Sequence, residues 1–60
     1  MSLITEPNLD DPDAVFAALV AAHAGLSAEE SRLLDAKLVL LLANHVGDVE
    51  VLREAIAAAK

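Results

Sequence analysis

Six apolar residues in succession, Leu38-Val39-Leu40-Leu41-Leu42-Ala43, restrict what this chain can fold into more than any other feature. The segment around them reads as helix, and at ~3.6 residues per turn a run of this length projects apolar side chains all round the axis. No rotation of the helix gives this level a water-facing side. Neighbouring helices can cover part of the circumference, but in a chain of 60 residues such material is scarce. The remaining cover is expected to come from a second protein chain.

Size sharpens that expectation. A domain this small buries only roughly 60% of its unfolded surface, which leaves it marginal without a staple. There is no cysteine to form a disulfide, and two histidines far apart in sequence do not make a structural metal site. Oligomerisation remains. The chain is 57% hydrophobic and built from Ala, Leu and Val, too apolar for a disordered tail. With one Phe and no Tyr or Trp, it lacks the aromatic and β-branched clusters of sheet, and its Ala, Leu and Glu content favours helix.

The formal net charge of −6 argues against nucleic acid, whose phosphates demand a basic surface, and against an anionic membrane surface. Met1 to Pro7 carries Glu6 and no basic residue, unlike the charged start of a signal peptide. The apolar run, closed by Lys37 and Asn44, is far shorter than the ~20 residues of a spanning helix. A cytoplasmic protein is the expectation.

Along the chain, residues 1–10 read as an extended N-terminal arm and 11–60 as a single small helical domain. Asp11-Pro12-Asp13 announces helix 1, with Asp11 as N-cap, Pro12 in the first turn and Asp13 complementing the positive helix end. It is expected over about 12–24, with Gly25 just past its end. Phe16, Leu19, Val20 and His23 share one stripe at helical spacing, and alanines line the other side. Ser27 and Glu30 form a capping box that opens helix 2, expected over about 28–46 and ended by Gly47. Asp48 caps helix 3, about 49–59, whose Val49, Val51, Leu52, Ala55 and Ile56 share one half of the wheel. The fold class is all-α: three helices forming a bundle completed by dimerisation. Short connections make helix 2 the central element, and the expected homodimer interface comprises Leu34, Leu38, Val39, Leu41, Leu42 and Val46.

Residues able to carry chemistry are few. His23 and His45 titrate near neutrality, but each lies in the last turn of a helix, where a cation is favoured. Antiparallel packing of helices 1 and 2 keeps them over ~20 Å apart at ~1.5 Å per residue. Asn44 and His45, polar at the end of a greasy helix, read as a registry device across an interface or as hydrogen-bond partners of the arm. Asp10, Asp11 and Asp13 lack the spacing and glycine of a calcium loop, and capping accounts for them. No phosphate loop, metal-spaced cluster or nucleophile–base pair is present. The expectation is therefore a protein that is not an enzyme, with no catalytic, metal or cofactor residues.

Pro7 to Ala14, Ala21 to Ser27 and Leu40 to Asp48, with its Asn44-His45-Val46-Gly47-Asp48 segment, resemble a family of short proteobacterial proteins known only as a domain of unknown function. The resemblance covers nearly the whole chain. It brings no catalytic residue with it. It implies a neighbourhood with flavin-dependent aromatic hydroxylases, and hence a partner role.

Taken together, the residues describe a non-catalytic interaction or accessory module that self-associates through helix 2 and assists a larger cytoplasmic enzyme. The alternative is a small-molecule-binding dimer with an interhelical pocket near Asn44 and His45.

Overall fold

The computed structural model describes residues 2–60. Three helices follow in order, α1 (Pro12–His23), α2 (Ala28–Val46) and α3 (Val49–Ala59), with no strand among the described residues. The protein is all-α.

Local chemistry sets the helix boundaries from the start of α1 to the start of α3. At α1 the Asp11 carboxylate accepts the Ala14 N–H at 3.0 Å. The helix stops at His23, one residue before the expected end, because Ala24 has already turned to extended backbone (φ −60, ψ 131). The Ala24 N–H then reaches only the carbonyl of Ala21, and Gly25 takes a positive φ of 77 beyond it. At α2 the Glu30 N–H donates to Ser27 Oγ at 3.1 Å, and the Ser27 N–H donates back to Glu30 Oε1 at 2.9 Å. This reciprocal pair satisfies two of the donors that a helix start leaves without partners. Gly47, left-handed at φ 72, closes α2 with its N–H on the carbonyl of Ala43. A side chain there would be strained by the backbone alone. Asp48 then accepts from the N–H groups of Glu50 and Val51 and starts α3.

Packing between these elements is sparse. The α2–α3 pair forms the main helix–helix contact. Val51, in the first turn of α3, is 7% exposed and is the one buried hydrophobic residue among those described. Leu3, Leu34, Leu38, Ala43, Leu52 and Ala55 are half-buried. The N-terminal arm is non-helical and lies against α3, where the Leu3 N–H donates to Glu54 Oε2 at 2.9 Å.

Overall dimensions carry the same message. The Cα radius of gyration is 13.1 Å, against about 10 Å for a compact domain of this length. The exposed area is 5187 Å², whereas a compact monomer of 6.2 kDa exposes about 3,700 Å². Folding one copy therefore hides roughly 42% of an unfolded surface of about 9,000 Å², well short of the roughly 60% usual at this size.

A candidate interaction surface

Leu40 and Leu41 are 71% and 69% exposed, and Val39 and Leu42 flank them in the same condition. These four residues are the middle of the apolar run, and the single chain leaves all of them in water. The expected interface residues divide into two groups. Leu34 and Leu38 are half-buried within the chain, while Val39, Leu41, Leu42 and Val46 are exposed. Leu40, absent from that set, is the most exposed of the run.

The exposed residues do not form one patch. At about 100° per residue, Leu41 points away from Val39, Leu40 and Ala43, while Leu42 lies on their flank, about 60° from Val39. Val39, Leu40 and Ala43 form one wall of a groove of about 460 Å³ whose other wall is Leu52, Ala55, Ile56 and Ala59 of α3. All seven side chains are apolar and none is charged. The groove follows from two sequence patterns meeting. The apolar half of α3 faces α2 at Val51 and leaves Ile56 uncovered, and α2 has no polar residue between Lys37 and Asn44 to mark an outer side. A second exposed stripe lies on α1, where Phe16, the only aromatic residue, is 70% exposed. Leu19, Val20, His23 and Ala24 line a shallow depression beside it.

His23 joins α1 to α2. Its Nε2 lies 2.6 Å from Asp35 Oδ1, and its Nδ1 lies 2.7 Å from the carbonyl of Leu19. A neutral imidazole has one N–H and so donates to only one of two acceptors, whereas the imidazolium donates to both. The pKa of His23 is accordingly raised, by the Leu19 carbonyl first and the Asp35 carboxylate second. The helix-end role is present in the Leu19 bond, and the pairing with Asp35 is additional. Its signal was an acidic residue on the helix to which the chain returns, twelve positions on. In the capping box, the Ser27 N–H and then its hydroxyl hold the Glu30 carboxyl below its ordinary value.

Asn44 and His45 are both exposed, and neither side chain takes a hydrogen bond among the described residues. The arm bonds Glu54 instead, and the groove is not lined by either residue. No group of three or more metal-ligating side chains occurs among the described residues. No helix is long and apolar enough to cross a membrane.

Caps, helices and groove define a small all-α protein whose most distinctive surface is apolar. More particularly, the chain belongs to the family described as "Protein of unknown function (DUF2783)", whose model matches residues 3–60. No curated protein and no solved structure matches it.

Proposed function

We propose that this protein is a non-catalytic interaction module, self-associating through α2 and assisting a larger enzyme in the cytoplasm. The observation that carries this reading is the exposure of the consecutive residues Val39 to Leu42 in the folded chain. Apolar side chains scattered singly over a surface are ordinary, but Val39 and Leu40 line one continuous apolar groove with Leu52 and Ile56, and such a set marks a site of association. The area supports a large interface. The chain exposes about 1,500 Å² more than a compact monomer of its mass, within the roughly 1,000–2,500 Å² per partner of permanent complexes.

A non-catalytic role is supported by the dispersal of the reactive side chains. His23 is engaged by Leu19 and Asp35, His45 stands alone at the other end of α2, and Asp11 and Asp48 serve as helix caps. The alanine-rich side of α1 offers a second flat surface for a larger partner. Light scattering behind a sizing column, over a range of concentrations, tests self-association. A dimeric mass supports the reading, and a monomer that melts cooperatively in dilute solution overturns it. The accessory role is tested by affinity capture from native lysate with the dimer as bait, and failure to retain any larger protein counts against it.

A further inference from the structure

We infer that His23 is a proton-operated clasp on which the order of α1 depends: the imidazolium ties α1 to α2, and the neutral ring releases it. The clasp acts within one copy, whether or not the chain pairs with another.

The attachment of α1 rests on its last residue. None of its 12 residues is buried, and His23 alone among them is half-buried. Its apolar side chains stay in water, with Phe16 70% and Val20 54% exposed. By contrast α3 is anchored by the buried Val51 in its first turn. Among the described residues, the hydrogen bond that joins α1 to α2 is the one between His23 Nε2 and Asp35 Oδ1. The connection adds no second anchor. Gly25 has open space around it, and the Leu26 N–H bonds back to the His23 carbonyl rather than to α2. A free helix of this length is marginal in water, so α1 depends on the clasp at its end.

That attachment is sensitive to a single proton. The two ring nitrogens face oxygens that only accept, the Leu19 carbonyl at 2.7 Å and the Asp35 carboxylate at 2.6 Å. A neutral ring has one N–H, so either tautomer sets a lone pair against an oxygen at hydrogen-bond distance. Keeping the bond inside α1 turns a bare Nε2 on the Asp35 carboxylate. Keeping the bond to Asp35 gives up the charge attraction and sets Nδ1 against Leu19. Asp35 on α2 is the charge that acts on the ring, and Arg32, one turn earlier, forms no ion pair with it. On α1 the nearest titratable side chain in sequence is Asp13, ~15 Å away at ~1.5 Å per residue. Ala24 to Ser27 carry no titratable side chain. The Leu19 carbonyl first, then Asp35, raises the ring's pKa above 6.5. The clasp is therefore closed below that value and opens as pH rises through the raised one.

The test is a pH titration of the 13C-labelled wild-type chain by carbon-detected NMR. The His23 ring signal and the Cα shifts of all three helices are recorded together. As the ring loses its proton, the helical Cα shifts of Val15 to Ala22 should fall by about half or more. Their midpoint should match that of the ring, while α2 and α3 stay unchanged. In His23→Gln, whose amide takes up no proton, α1 should keep its high-pH shifts throughout. Cα shifts of α1 that stay constant through the ring titration overturn the inference. So does movement of all three helices together, or an α1 transition that survives unchanged in His23→Gln. If that variant fails to fold, the wild-type titration alone decides.

Discussion

Leu40→Ala separates a chain that functions alone from one that folds as a pair. In an isolated copy Leu40 is 71% exposed, so its truncation is a surface substitution worth less than about 0.5 kcal/mol. In a dimer that pairs through α2 at this level the exposed part of the side chain is buried. Leu→Ala removes three carbons, worth about 2.4 kcal/mol at ~0.8 kcal/mol each, and the part newly hidden makes that about 1.7 kcal/mol per copy. Each dimer carries the substitution twice, so the loss is about 3.4 kcal/mol, or roughly 300-fold in Kd. Sedimentation equilibrium of wild type and variant reads this directly, with circular dichroism at a concentration where both are dimeric confirming equal helicity. Val51→Ala is the internal comparison. Val51 is already buried in one copy, so its loss of about 1.6 kcal/mol falls on the chain's own fold. A Leu40→Ala variant with an unchanged dissociation constant would refute the assignment of this residue to a buried interface.

Other outcomes follow from the same structure. If folding and pairing are coupled, the melting temperature depends on concentration, and tenfold dilution lowers it by about 5 °C for a 120-residue dimer; differential scanning calorimetry that shows no shift contradicts the coupling. The His23 imidazolium is held by Leu19 and Asp35, so the folded-state pKa lies above the unfolded value of about 6.5. Its stabilising contribution is complete below that value and is lost as pH rises through the raised pKa. Melts across this range should slope downward in wild type and flatten in His23→Gln, and equal slopes would show that the clasp does not matter. Ser27→Ala removes the hydroxyl half of the capping box and costs about 1 kcal/mol, read as a lowered melting temperature; an unchanged midpoint would mean that α2 is held by packing alone.

How much of this was legible in the sequence varied with the range of the interaction. Helix boundaries were, because each rests on residues within four positions of one another: Asp11 with Ala14, Ser27 with Glu30, Gly47 with Ala43, Asp48 with Val51. The single-residue difference at Ala24 came from the connection that follows it, which turns the backbone before the glycine is reached. Family membership was legible too, in the segments shared across nearly the whole chain. The apolar run announced a helix with excess hydrophobic surface, but its uniformity concealed which side meets what. Leu34 and Leu38 could not be distinguished from Leu41 and Leu42 by composition. The placement of α3 beside Val39, Leu40 and Ala43 is what creates the groove. The His23–Asp35 pair and the bond from Leu3 to Glu54 likewise depend on how elements distant in sequence lie against one another. For Asn44 and His45 the polar character was evident, yet the arm expected near them bonds α3 instead.

The central claim is that the folded unit is two chains, and the molar mass at sedimentation equilibrium tests it most directly. Runs at several loading concentrations should fit a monomer–dimer equilibrium that approaches twice the 6.2 kDa chain mass. A single species of 6.2 kDa at every loading, still helical and cooperatively folded, would contradict it.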